Sequence, residues 1–383
     1  MYRHSPGPWL YHDPVKSMLP RPDLSTIQTA EKARAASKYE AARKIYKTLL
    51  KNRSLGREER AEALLGLADV ERIRGYFPEA LKHYREAENL WRSLDPTAVV
   101  DAQVGWALAA RASGKPRPAL QNLWKALKFY RKERDLEGEA FVHWALGGTL
   151  RIAGDMKTGL KELLIALRLF KKLGNAEGLS YTCCALGGIY RMLGDYAASG
   201  RYYREANRRM RRRGDTFGIA YSYCGLGNVE RMAGRFKKAL PFYKKAEKLY
   251  GTIGDRVSYA YTLWSLGTAH KMLGQYTQAH WAFYKADNLF KKTGDTRGRI
   301  YALLGFAEVE WLKANQHPTR SHEATKKGLS FWKQAKRVAD SSHYVWEKLH
   351  TEVLKGGHVQ DLSSKYKKAG SRFCPKSLPV NWP

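Results

Sequence analysis

The 383-residue sequence predicts an all-α solenoid of tandem antiparallel helix pairs, and three observations carry that expectation. The strings ALGGTLRIAGDMKTGLKELLIAL, ALGGIYRMLGDYAASGRYYREAN, GLGNVERMAGRFKKALPFYKKAE and SLGTAHKMLGQYTQAHWAFYKAD repeat one pattern. A glycine returns at Gly75, Gly114, Gly154, Gly194, Gly234 and Gly274, first after 39 residues and then after every 40. Within each period, apolar and small residues recur at helical spacing, twice.

The first helix of a unit, helix A, is marked by residues such as Leu226, Gly227 and Met232 on one face. Glycine at Gly154, Gly194, Gly234 and Gly274 stops it, since that residue enters the left-handed region without steric cost. Helix B follows, with Ala239, Tyr243 and Ala246 on one face. Gly-Asp turns at Gly214-Asp215, Gly254-Asp255 and Gly294-Asp295 lead to the next unit. Neither helix can bury its apolar face alone, so units must stack on their neighbours. About fourteen or more helices and no sheet are expected in this region.

The pattern of Leu186, Gly187, Tyr190, Gly194, Asp195, Tyr196, Tyr203 and Ala206 resembles the tetratricopeptide family. The resemblance covers about residues 29 to 340 and implies a right-handed superhelix that serves in protein binding. The unit is longer than the usual ~34 residues and lacks the closing Pro, which places it beside the longer-repeat branch of the family. Six units are clear. A seventh carries an insertion near His317 to Glu323, and a half-matched unit, AASKYEAARKIYKTLL, precedes the first; both read as degenerate caps. A 40-residue period also suits HEAT repeats or propeller blades, but the helix-rich composition and the Leu-Gly signature oppose both. The expected organisation is an extended arm at 1–28, the array at 29–342 and a basic tail at 343–383. Whether the tail is disordered or lies along the superhelix is open at this point.

Composition bounds the function. Hydrophobic residues make up 44% of the chain with only 14 prolines, which opposes bulk disorder. The 68 Lys and Arg outnumber the 36 Asp and Glu, a formal net charge of +32 that favours polyanionic partners. No stretch approaches the ~18 apolar residues of a membrane helix, so no membrane insertion and a cytoplasmic location are expected. Cys183, Cys184, Cys224 and Cys374 lack knuckle spacing and read as reduced thiols. Cys184 and Cys224 share a register on successive helices, too far apart for a disulfide. His317 and His322 lack further ligands at zinc spacing. There is no Gly-Lys nucleotide loop, no nucleophile elbow and no facing carboxylate pair, so neither enzyme activity nor a cofactor is expected.

In the family that the repeats resemble, helix A lines the concave face. With the Gly of Leu-Gly as position 8, positions 2, 5, 9 and 13 share a face and position 12 sits at its edge. Position 12 holds Arg72, Arg111, Arg151, Arg191, Arg231 and Lys271, one cation per repeat. Position 2 holds Phe141, Tyr181, Tyr221, Tyr261 and Tyr301, and position 5 includes Trp144 and Trp264. Position 9 is small in the middle units, at Gly148, Gly188 and Asn228, which leaves room for a ligand backbone. These residues form the candidate binding groove for an acidic or extended protein segment, the resemblance supplying the protein-binding scaffold. Single-stranded RNA or another polyanion, and a structural role in a larger assembly, stand as alternatives. Each residue also has a plainer use. The arginines can complement a helix C-terminus or pair with a neighbouring carboxylate. The aromatics can stack between repeats, and Met192, Met232 and Met272 can be core. The run Arg208, Arg209, Arg211, Arg212 and Arg213 ends a B helix and reads as a solvated convex face or a secondary basic patch.

Overall fold

A computed structural model describes residues 22–316, 321–342, 344–355, 357–368, 373 and 375–382. Eight consecutive helix pairs build it: α1 Pro22–Ala35 with α2 Tyr39–Leu49, α3 Arg57–Arg74 with α4 Phe77–Trp91, α5 Pro96–Ala112 with α6 Pro116–Lys132, and α7 Leu136–Ala153 with α8 Met156–Lys172. The series continues as α9 Ala176–Met192 with α10 Tyr196–Arg213, α11 Thr216–Met232 with α12 Phe236–Ile253, α13 Arg256–Met272 with α14 Tyr276–Thr293, and α15 Thr296–Gln316 with α16 Ser321–Asp340. After them come α17 Val345–Val353, a short hairpin of β1 Leu354–Lys355 and β2 His358–Val359, and α18 Ser363–Lys368. The array is therefore an α-solenoid. Helix α1 starts at Pro22, inside the segment expected to be an extended arm, and the hairpin lies in the tail beyond the array. His317 and Cys374 lie outside the described residues.

The repeating residues explain the repeating shape. Gly75, Gly114, Gly154, Gly194, Gly234 and Gly274 all have positive φ, between 74° and 95°, and end the A helices. Where an Asp follows the glycine, its side chain caps the next helix: Asp155 and Asp195 accept from the backbone at Thr158 and Ala198, and Asp215 and Asp255 do the same for α11 and α13. Helices A and B approach closely because a glycine faces a ring. A Cβ on Gly225 would stand 2.1 Å from the Tyr203 ring, and one on Gly227 2.6 Å from that of Tyr243.

The solenoid closes on itself. Ile27, Tyr39 and Tyr46 of the first pair share a buried apolar cluster with Ala220, Ala246, Tyr250 and Ile253 of α11 and α12. The Arg256 guanidinium lies 5.3 Å from the centre of the Tyr76 ring, and methyls of Val257 and Thr293 fill the space beside Gly75. Past α16, Tyr344 and Trp346 abut Gly114 and Gly154 at the ends of α5 and α7. What a more open superhelix would present as a groove is here a channel. Among the described residues, no helix is long and apolar enough to cross a membrane.

Candidate functional site

The A helices line that channel, and the position-12 column divides into three parts. At one end Arg72 donates to the Tyr84 hydroxyl (3.0 Å) and to Asp69 (3.3 Å), and the Tyr84 hydroxyl donates to Asp69 in turn (2.6 Å). At the other end the same unit returns: Arg231 donates to the Tyr243 hydroxyl (3.2 Å), which donates to Asn228 (2.9 Å). Each cation there is held by the tyrosine twelve residues later, whose hydroxyl donates to the polar side chain three residues before the cation; Asp69 also accepts directly from Arg72.

The middle repeats lack that arrangement. Twelve residues after Arg111 and Arg151 stand Leu123 and Leu163, and Gly148 and Gly188 replace the polar residue before Arg151 and Arg191. Arg111 reaches the next repeat, donating to the Ala145 carbonyl (3.2 Å) and the Thr149 hydroxyl (3.4 Å), and lies over Trp144. Arg151 and Arg191 line the channel, and among the described residues neither makes a hydrogen bond or ion pair; the Arg191 Nε is buried without a partner. Burial, reinforced by the neighbouring guanidiniums Arg72 and Arg151, pulls the pKa of Arg111 down to about 9. Burial, with Arg297 and Arg191 close by, lowers that of Arg151.

The central cavity of about 290 Å³ is lined by Arg111, Arg151, Arg191, Arg231 and Arg297, with Asp295 as its one carboxylate among the described residues. Asp295 is engaged already: it accepts from the Gly298 backbone at 2.8 Å and from the Tyr261 hydroxyl at 3.3 Å. A second cavity of about 250 Å³ continues past Arg72, Arg111, Trp144, Tyr181 and Tyr221. Unpaired charge in a confined, half-dry space attracts an anion strongly, because water screens it poorly there.

Two expected groove residues sit elsewhere. The Phe141 ring is buried against Trp144 and does not reach either cavity. Lys271 is buried in an ion pair with Glu308 at 2.7 Å, beneath the tail. Tyr181, Trp264 and Tyr301 are buried and mostly spent on packing between repeats: Trp264 donates to the Tyr301 carbonyl at 3.2 Å. Tyr261 packs edge-on against Phe290. Tyr221 and Trp144 offer ring area to the cavities. Arg208 and Arg209 pair with Glu205, and Arg213 pairs with Glu177, on the outer side of α10; Arg211 and Arg212 are exposed. Cys183, Cys184 and Cys224 are free thiols, and burial pushes Cys183 up to about 11.

Other residues of the channel carry no mark in the sequence. Arg297, at the start of α15, pairs with Glu347 at 2.6 Å. The tail adds the rest: residues 378–382 run along the channel wall, where Val380 and Trp382 are fully buried. Lys271 donates to the Val380 carbonyl (2.8 Å), Arg231 to the Trp382 carbonyl (2.7 Å) and to the Asn381 side chain, and Asn381 donates back to the Arg231 carbonyl (2.8 Å). Glu308 accepts from the Val380 backbone (2.7 Å) and from the Trp382 indole (2.6 Å).

A closed solenoid of helix pairs around a cation-lined channel defines a helical-repeat protein. Residues 182–252 and 218–292 match the model of the tetratricopeptide repeat, and the repeats of that stretch are tetratricopeptide repeats. No curated protein matches the sequence. The fold is similar to that of a Rap protein complexed with Competence and Sporulation Factor, at 11% identity and a TM-score of 0.61 over 91% of this chain and 96% of that one. It is also similar to NprR in complex with its cognate peptide NprX, at 13% identity and a TM-score of 0.55 over 87% and 98%. The Rap conjugation gene regulator of plasmid pLS20 in complex with the Phr* peptide gives 15% identity and a TM-score of 0.55 over 84% and 88%.

Proposed function

We propose that this chain is a non-enzymatic, cytoplasmic interaction scaffold that holds an extended, acidic polypeptide segment in its channel, contacting Arg111, Arg151 and Arg191. The observation that carries the reading is the pair Arg151 and Arg191, two guanidiniums without partners among the described residues, in a cavity whose described lining holds three further arginines and one carboxylate. A carboxylate-bearing ligand supplies the missing acceptors, and each charge-assisted contact adds on the order of 1–3 kcal/mol. The tail lying along the channel wall supports polypeptide as the ligand, since the wall already holds main-chain carbonyls and an N–H. NprR and the pLS20 regulator, whose fold this chain shares, are complexed with peptides. Unbridged thiols suit a reducing compartment.

The test is fluorescence anisotropy with a labelled, Glu-rich octapeptide. Arg151→Glu with Arg191→Glu should weaken binding at least tenfold, whereas Arg211→Glu with Arg212→Glu, a change of equal charge on the outer surface, should leave it within about twofold. Equal losses from both pairs would make the attraction a property of net charge alone. Preference for single-stranded RNA over the peptide would replace polypeptide by nucleic acid as the ligand.

A further inference from the structure

The tail residues Val380, Asn381 and Trp382 sit in the channel in the manner of a ligand. Among the described residues, none of 373 and 375–382 makes a hydrogen bond to another backbone group outside the helices, and the segment belongs to no helix or strand. It is held by side chains of three successive A helices: Arg231 on α11, Lys271 on α13 and Glu308 on α15. Those side chains read features that any extended segment offers: two carbonyls accept from cations, and one N–H donates to a carboxylate.

Two further contacts are selective. The Asn381 amide accepts from the Arg231 guanidinium through its oxygen and donates to the Arg231 carbonyl through its nitrogen, two roles that a side-chain amide fills with separate atoms. The Trp382 indole donates to Glu308 while its ring lies 4.5 Å from that of His350 and 6.0 Å from that of Phe373. The seat adjoins the open channel, because Arg231 also lines the central cavity; among the described residues its Nη2 is buried without a hydrogen-bond partner.

We propose that the seat of Val380–Trp382 is an exchangeable peptide subsite, filled in cis by the tail of the chain and open in trans to an extended segment carrying Asn-Trp. The proposal rests on the reading of the channel as a polypeptide site and deepens it, adding a tryptophan-reading end to the cationic middle. Peeling the tail away breaks side-chain contacts but no helix or sheet, so the array persists while the subsite exchanges occupants. An incoming segment restores the same contacts, and covalent attachment gives the tail its advantage through effective concentration.

The probe is a labelled heptapeptide, SLPVNWP, corresponding to residues 377–383. Full-length chain carrying Trp382→Ala should bind it at least tenfold more tightly than the natural chain, whose own tail competes. The control peptide SLPVAAP should bind neither, and adding Glu308→Gln to Trp382→Ala should cost tenfold or more. Binding no tighter than to the natural chain, or equal binding of the control, overturns the proposal. A second measurement needs no variant: in hydrogen exchange of the natural chain, residues 376–382 should exchange well before α13 and α15. Exchange of tail and helices together, as one unit, would make the tail permanent core and overturn the proposal even where Trp382→Ala fails to fold. The Glu-rich peptide and the Arg151/Arg191 pair probe the middle of the channel, so loss of one result leaves the other standing.

Discussion

The Lys271 ammonium and the Glu308 carboxylate lie 2.7 Å apart with no solvent exposure of either side chain. Lys271 is the last cation of the repeat column, and Glu308, one repeat later, is the acceptor that takes it out of the channel. The same carboxylate accepts from the Val380 backbone and the Trp382 indole, so array and tail meet on one side chain.

Removing that carboxylate should be costly. Glu308→Ala leaves a buried ammonium, a backbone N–H and an indole N–H short of an acceptor, and breaking a buried pair from one side costs about 3–5 kcal/mol. Lys271→Met combined with Glu308→Leu removes both charges and should recover a large part of the loss. Denaturant unfolding of the two variants measures this; equal losses would mean the pair is not what Glu308 contributes.

The arginines of the middle repeats should behave in the opposite way. Arg151 and Arg191 have no carboxylate to lose, and each lies among like charges. The double change to Glu should therefore leave the melting temperature unchanged or raise it slightly, while it weakens peptide binding. Arg231→Glu, by contrast, breaks contacts to Tyr243, Asn381 and Trp382 and should lower it. A cooperative loss of helix in the Arg151/Arg191 variant would assign that pair a structural role instead.

Two glycines separate close approach from backbone conformation. In Gly225 the absent Cβ leaves room for the Tyr203 ring, 2.1 Å from where that carbon would be. Alanine is the better helix former by about 1 kcal/mol, so a net destabilisation by Gly225→Ala, expected at about 1–3 kcal/mol, measures overpacking. Gly234 has φ +75° and open space around it, so Gly234→Ala should cost about 1 kcal/mol through the left-handed backbone, and Gly234→Asn less. Thermal melting ranks the three.

The fold was legible because its signals are local and repeated. The glycine at each turn marks a helix end by its positive φ, and Gly227 and Tyr243 mark the contact of two helices sixteen residues apart. The column at position 12 was legible as an address, since the period alone places Arg72 and Arg231 in one register. The sequence marks part of the difference, since Leu123 and Leu163 stand where Tyr84 and Tyr243 hold Arg72 and Arg231, but Tyr203 stands twelve residues after Arg191 without a hydrogen bond to it, so which members stay free is seen only in the structure. Closure of the ring and the seat of Trp382 join residues far apart in the chain, Trp382 to Glu308 across 74 positions and Asn381 to Arg231 across 150. No periodicity encodes such pairs, and only packing shows them.

The dependence of stability on pH should follow Glu62, on α3. Burial first, then the carboxylates of Glu31, Glu58 and Glu59, push it up to about 8. The folded chain thus holds this proton more tightly than the unfolded chain does, and stability falls as pH rises between the two pKa values. Glu177, raised by burial to about 7, and Asp255, raised by burial to about 6, act in the same direction at lower pH. His350, which burial lowers to about 3, acts in the opposite direction: its contribution is intact above about 6.5 and is lost on acidification. Above pH 7 Glu62 is left as the main titrating group of the four. From pH 7 to 8 the natural chain should lose about 1 kcal/mol, because each pH unit below the folded pKa carries up to 1.4 kcal/mol per proton. Glu62→Gln keeps a neutral side chain at every pH, so its stability should be flat over that interval and should exceed that of the natural chain at pH 8.5. Urea titrations at pH 7, 8 and 8.5 read both effects, and a natural chain as flat as the variant would show that Glu62 is ionised in the folded state already at pH 7.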